Sequence, residues 1–435
     1  MKDIIKTIII KMQARFPLTL ISRNTSLPVD SGKIITVTGI RRCGKSYTMY
    51  ETINSLMQKG IAREKILFIN FDDERLQFNP GNLDLILQAY RELYPDISLA
   101  DIYIFFDEIQ MAQGWEPFVR RIYDTENRNI FLTGSNAKLL SSEIATSLRG
   151  RTLPFEVFPL SFDEYCRFTQ TDTNWLLPEN RSLIENGFSR FLTKGGFPEL
   201  VLTGYQYFEN TIQEYYHVML YKDLIERYGI RNIPVLKYLV SRLIAGLGKP
   251  VSINKMNNEL KSAGIKSDKN LLYTLVEYLQ SIYFIQRIGK FDLSVIKSEL
   301  SSEKKIYFTD NGFLTSLSFS YGNDYGRLLE NLVFLWFRKQ FPFGRGISFA
   351  KGKKECDFVI FDRDKPVLLS QVCWNLNQPE TLRREMEGLN EQAKYLNCDK
   401  LWIITSGEEQ VLETGAIQTT VVPAWKLMME NRTLL

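Results

Sequence analysis

The ten residues Val37–Ser46, VTGIRRCGKS, decide how the rest of the chain is read. They place Gly39, Gly44, Lys45 and Ser46 in the spacing G-x-x-x-x-G-K-S. Average composition would put that pattern in a chain of this length only about once in a hundred times, so the flanking sequence becomes the test. The run before it, KIITVTG, is short and β-branched and predicts a buried strand. The run after it, KSYTMYETINSLMQKG, has helical spacing and closes on Gly60. A strand, a glycine-containing loop and a helix N-terminus in that order form a cradle for phosphate. Backbone N–H groups curl around the anion, and the helix end adds positive potential. The alternative is an ordinary strand–turn–helix junction. On the phosphate reading, Gly39, Ile40, Arg41, Arg42, Cys43, Gly44, Lys45, Ser46 and Tyr47 line the nucleotide. Lys45 reaches the β- and γ-phosphates, and Ser46 holds Mg²⁺.

A phosphate loop of this kind calls for an acidic strand end, and IYIFFDEIQ provides one. Apolar residues lead into Asp107, expected to orient Mg²⁺, and Glu108, expected to polarise a water as general base. The run NIFLTGSN ends another strand and offers Thr133, Ser135 or Asn136 as a polar group near the γ-phosphate. Downstream, SLRGRT carries Arg149 and Arg151, candidates for a phosphate-contacting arginine in cis or on a neighbouring subunit. With KILFINFDD and TLPFEVFPL as further strands and helical spacing between them, residues 1–160 read as an α/β core with a parallel, doubly wound sheet. ATP and Mg²⁺ are the expected cofactors.

Beyond residue 160 the pattern changes. Residues 161–233 read as a helical linker or lid. Residues 234–320 give helix, helix, helix and then two strand-like runs, the order of a winged helix-turn-helix. Residues 235–300 hold ten Lys and Arg against five Asp and Glu, a local excess of five, while the whole chain carries only +4. Basic charge concentrated in this way suits phosphate contact. Lys255, Lys261, Lys266, Lys269 and Asn270 are the nucleic-acid candidates, with KSDKN opening the recognition helix; packing or protein contact is the competing use of such a module.

These residues together resemble a widespread bacterial and archaeal family of AAA-type ATPases whose C-terminal half is a domain of unknown function. The resemblance runs through GIRRCGKS, FFDEIQ, LTGSNAKLL, LRGRT and FPLSFDEY, and through the later GGFPE, YKDLIERYGI and KIYFTDNG. It implies an ATPase core, a winged-helix middle and, over residues 321–435, a restriction-endonuclease-like α/β end similar to PD-(D/E)XK nucleases. In that motif a helix Glu and a strand Asp bind Mg²⁺, and a following E-x-K supplies a lysine. Glu330 and Asp357 fit the first two places. Gln371 then stands where the Glu belongs and Cys373 where the Lys belongs, which makes the expected site degenerate.

Composition narrows the remaining options. The chain has 435 residues, 44% hydrophobic and 24% charged, with five scattered cysteines and one histidine. That is a globular composition. It speaks against a structural zinc site or a secreted disulfide scaffold and for a reducing, cytoplasmic setting. The apolar start, MKDIIKTIIIKMQARFP, is broken by Lys2, Lys6 and Lys11 and reads as an amphipathic helix, not a membrane segment. Cys43 in the loop raises the question of an oxidisable thiol; a small residue that fits is the plainer reading. His217 reads as a packed or surface histidine. The sequence therefore points to an Mg²⁺-dependent ATPase acting on or with nucleic acid. The alternatives are a nucleotide-driven switch for a protein partner and an active nuclease; DNA, a protein and a second copy of the chain are the candidate partners.

Overall fold

The structure is a computed structural model that describes residues 1–134, 148–292, 303–318, 324–341, 346–414 and 417–430. The chain divides into two compact units, Met1–Phe158 and Pro159–Leu435.

The first unit contains helix α1 (Lys2–Arg15), strand β1 (Ile34–Thr38), α2 (Lys45–Gln58), β2 (Ile66–Asn70), α3 (Leu85–Leu93), β3 (Tyr103–Asp107), α4 (Trp115–Thr125), β4 (Ile130–Thr133) and β5 (Thr152–Glu156). The five strands form one sheet in the order β2-β3-β4-β1-β5, and every pair is parallel. β1 and β4 are buried throughout, as a parallel sheet covered on both faces requires. Ile5, Ile8 and Ile9 of α1 join the core formed by the sheet with Ile86, Leu87 and Tyr90 of α3, which is where the apolar start of the chain goes. The chain runs from β1 to the far edge at β2 and returns through β3 and β4. β1 thus lies between strands reached from opposite directions, the topological position at which such sheets bind ligands beyond their carboxyl ends.

The second unit opens with α5 (Phe162–Phe168), α6 (Pro178–Lys194), α7 (Pro198–Leu202) and α8 (Phe208–Val218), continued by a π-helical stretch over Met219–Glu226. Ser161 and Glu164 form a reciprocal capping box at the start of α5. Three helices follow, α9 (Ile233–Ala245), α10 (Ile253–Ser262) and α11 (Lys269–Ser281), and then an antiparallel pair, β6 (Ile285–Gly289) and β7 (Lys304–Phe308). Between α9 and α10 Pro250 makes an isolated bridge to Lys305, and Ile253 begins α10. After α12 (Asn311–Leu317) and α13 (Tyr325–Gln340) come β8 (Ile347–Lys351), β9 (Glu355–Asp362), β10 (Lys365–Val372), α14 (Pro379–Leu396), β11 (Leu401–Thr405), β12 (Gln410–Thr414), β13 (Ile417–Pro423) and α15 (Ala424–Met429). The six strands form a second sheet in the order β12-β13-β11-β10-β9-β8.

The helical stretch 161–233 is built into this second unit, with α6 and α8 packing on α12 and α5 packing on α15. Its junction is polar and buried. Asp310 accepts hydrogen bonds from the N–H groups of Gly196 (2.7 Å) and Gly312 (2.8 Å). Asn311 donates to the carbonyls of Leu192 and Leu328. The GGFPE and TDNG runs therefore meet as a packing junction. Burial raises the Asp310 carboxyl to about 7, against the pull of those two N–H groups. No helix among the described residues is long and apolar enough to cross a membrane.

Candidate phosphate site and a second carboxylate cluster

The phosphate loop sits at the carboxyl end of β1. Gly39 has φ +140, and a Cβ there would lie 2.1 Å from the Val157 carbonyl oxygen, so only glycine lets the loop pass. Gly44, at φ +105, caps α2. The Lys45 ammonium is buried and donates to the carbonyls of Gly39 and Ile40, both at 3.2 Å. Its partners are neutral, so the positive charge is left for an anion. Arg23, which the sequence reading missed, donates to the Cys43 carbonyl (3.0 Å) and the Phe158 carbonyl (2.9 Å) and ties the loop to the segment just after β5. No local pattern could have found it, because its partners lie 20 and 135 residues away. Ile40 and Cys43 are buried, whereas Arg42 and Tyr47 are exposed. Burial pushes the Cys43 thiol up, with Lys45 and Arg23 opposing, so the helix end does not make it an easily ionised thiol.

Sheet order brings the acidic residues to this loop. Val37 of β1 pairs with Thr133 of β4, and Phe106 of β3 pairs with Leu132, so Asp107, Thr133 and the loop stand at the ends of three successive strands. Ser46 Oγ donates to both Asp107 oxygens, at 3.0 and 2.8 Å. Thr133 Oγ1 donates to Asp107 Oδ1 and accepts from the Glu108 N–H at 2.9 Å. One threonine thus orients both carboxylate residues. Glu108 adopts a left-handed backbone, φ 52, a conformation non-glycine residues seldom adopt. Its carboxylate takes a hydrogen bond from Gln110. Burial raises the Asp107 carboxyl, while the hydroxyls of Thr133 and Ser46 pull it down. A hydroxyl facing a buried carboxylate beside a phosphate loop fits Mg²⁺, whose preferred ligands are oxygens. Ser135 and Asn136 lie outside the described residues.

The two arginines do not join this site. Ile34 pairs with Thr152 at the amino end of the sheet. Arg149 and Arg151 therefore precede β5 at the edge opposite the loop, about 16 Å away at ~3.3 Å per strand residue. Arg151 pairs with Asp124 at 2.8 and 3.1 Å. Phosphate contact within the same chain is ruled out by that parallel register.

Residues 31–166 match the family described as "AAA domain", and residues 185–322 match "Domain of unknown function (DUF8612)". The uncharacterized protein MJ1544 of Methanocaldococcus jannaschii is 35% identical over 423 residues, spanning 94% of this chain and 90% of that one. The chain belongs to this family of AAA-domain proteins. A Haemophilus influenzae relative is 29% identical over 401 residues, covering 92% of this chain and 95% of its own length. Among solved structures, the Aeropyrum pernix Orc1 protein in complex with DNA aligns over 74% of this chain and 94% of that chain, at 11% identity and a TM-score of 0.30, too loose a likeness to carry a reading. The AAA domain holds the loop, Asp107, Glu108 and Thr133. Neither matched region reaches Glu330, Glu355 or Asp357.

Those three carboxylates lie together in the second unit, around a lysine that the sequence reading did not consider. Lys305 of β7 is completely buried, and its ammonium lies 2.8 Å from Glu355, 3.3 Å from Glu330 and 3.3 Å from Asp357. Tyr307, two residues on and on the same side of β7, donates to Glu330 at 2.7 Å. Ser348 pairs with Val359 and Ala350 with Cys356, so Asp357 and Phe358 together oppose the single Phe349. That bulge turns Asp357 toward the hairpin.

Gln371 and Cys373 flank Val372, whose N–H donates to the Asp357 carboxylate at 3.0 Å, but they offer that cluster neither a carboxylate nor a cation. They share a strand face with Leu369, and Cys373 packs in the core with Leu389 and Ala393 of α14. The Gln371 amide is spent on β9 backbone, accepting from the Asp357 N–H and donating to the Glu355 carbonyl, both at 2.8 Å. Burial pushes the Cys373 thiol up to about 12. Ser370, paired with Phe358, is the β10 residue on the hairpin side.

Proposed function

We propose that this AAA protein is an Mg²⁺-dependent ATPase whose turnover is coupled to nucleic acid. The observation that carries the ATPase reading is the Ser46–Asp107–Thr133–Glu108 network. Lys45 exchanges its carbonyl partners for the β- and γ-phosphates. Ser46 and Asp107 hold Mg²⁺, which when bound offsets charge on the phosphate oxygens. Glu108 accepts a proton from the attacking water, and Thr133 fixes where that carboxylate points through the Glu108 N–H. The placement of Arg149 and Arg151 at the far sheet edge supports their use on a neighbouring copy, and so a homo-oligomer.

Three helices followed by a hairpin support a winged-helix reading of residues 234–320. Lys255, Lys261, Lys266, Lys269 and Asn270 are all exposed, with Lys266, Lys269 and Asn270 at the start of α11. That placement suits phosphate contact by α11. The nuclease reading has less support, because Gln371 and Cys373 stand where that motif needs a carboxylate and a lysine.

The test is ATP turnover with Mg²⁺ at low salt, with and without duplex DNA, using Glu108→Gln as control. Stimulation by DNA that the variant loses is the expected result. Turnover indifferent to DNA would reject the nucleic-acid coupling and favour a protein partner. Absence of turnover and of ATP binding would reject the ATPase.

A further inference from the structure

The cluster around Lys305 has an unusual charge balance. Three carboxylates face one ammonium and one phenol. The neighbouring cations are engaged elsewhere, Arg384 with Glu385 and Lys354 with Glu387. Lys305 is fully buried, and the three carboxylates within 2.8–3.3 Å of its Nζ compensate its charge. The carboxylates are not sealed off: their side chains keep 14% (Glu330), 17% (Asp357) and 32% (Glu355) exposure, while Lys305 keeps none. Convergent carboxylates with access to water form the donor set a hard divalent ion takes. The Nζ–O separations of 2.8–3.3 Å are ammonium distances, longer than the 2.0–2.6 Å of Mg²⁺ and Ca²⁺ bonds. Accordingly, no group of three or more His, Cys, Asp or Glu among the described residues is arranged to hold a metal.

We propose that the Lys305 ammonium is the resident cation of a carboxylate site that otherwise takes a divalent metal, so that β7 closes the site against Mg²⁺ or Mn²⁺. The lysine comes from the hairpin, whereas the carboxylates come from α13 and β9. Withdrawing β7 therefore strips three carboxylates of the cation they share, and this fastens the hairpin to the second sheet without any metal. The proposal stands independently of the ATPase reading.

The experiment is Mn²⁺ binding to the full chain, without nucleotide, at pH 8, read from the loss of the free-ion paramagnetic signal and from the melting temperature. Wild type is expected to take up no Mn²⁺ that Asp357→Asn abolishes. Lys305→Ala is expected to bind one Mn²⁺ per chain and to melt several degrees higher with it, both effects vanishing when Asp357→Asn is added. A Lys305→Ala chain that folds only when Mn²⁺ is supplied is the same result in stronger form. The proposal is overturned if Lys305→Ala folds and binds none, if it fails to fold with and without Mn²⁺ while Lys305→Gln folds and binds none, or if wild type binds Mn²⁺ in a manner Asp357→Asn removes.

Discussion

Two buried lysines, one in each unit, face oxygen atoms in different ways. Lys45 bonds two neutral carbonyls of its own loop. Lys305 is surrounded by three carboxylates from two other elements. The first cation remains available, because a carbonyl is easily exchanged for a phosphate oxygen. The second is neutralised, because no incoming anion can compete with carboxylates already in contact. The lesson is that a buried lysine beside a strand end is read from the charge of its partners, not from its burial.

The comparison breaks first at Lys45. Lys45→Met is expected to lower ATP turnover by about 10²–10³-fold, the scale of losing one preorganised donor, while the urea midpoint hardly moves. A large loss of stability would mean that the loop carbonyls need the cation structurally. Next comes Lys305→Met, expected to cost about 3–5 kcal/mol of unfolding free energy in chemical denaturation, since it leaves buried carboxylates unpaired. A loss below 1 kcal/mol would show that the carboxylates simply take up protons.

The third test concerns a carboxylate held by backbone N–H groups instead of a cation. Asp310 is raised to about 7 in the fold, from the ordinary aspartate value of 3.8. The folded state therefore binds the proton more tightly than the unfolded chain. Its contribution to stability is fully present below about pH 4, falls by at most about 1.4 kcal/mol per pH unit, and is lost by about pH 7. Glu330, raised to about 7 by burial against the pull of Lys305, shares the sign and the window. Denaturation titrated from pH 4 to 8 should show that decline, and Asp310→Asn should flatten part of it. The smallest effect is expected at Arg151. Its ion pair with Asp124 is partly exposed, so Arg151→Ala should cost under about 1 kcal/mol. If turnover nevertheless collapses, and wild-type turnover per chain rises with protein concentration, the arginine works across a subunit boundary.

Sequence by itself settled the first unit almost completely. Its loop residues are contiguous, its strands are short uniform apolar runs, and Asp107 and Glu108 end one of them. The fold then needs only parallel pairing to bring those ends together. In residues 234–320 the order of three helices and then two strand-like runs was legible in the sequence as well. What it could not give was anything that depends on partners far along the chain: Arg23 on the loop, the meeting of Gly196 with Asp310, and Lys305 with Glu330, Glu355 and Asp357. Local spacing records which residues share a strand face only where the period of two is unbroken. The bulge at Asp357 breaks it. Lys305 stands in KKIYF, 52 residues before the Asp357 it contacts. Only tertiary packing of the hairpin on the second sheet decided that its charge would be spent there, because a buried ammonium needs oxygen atoms converging on it and here those oxygens are carboxylates.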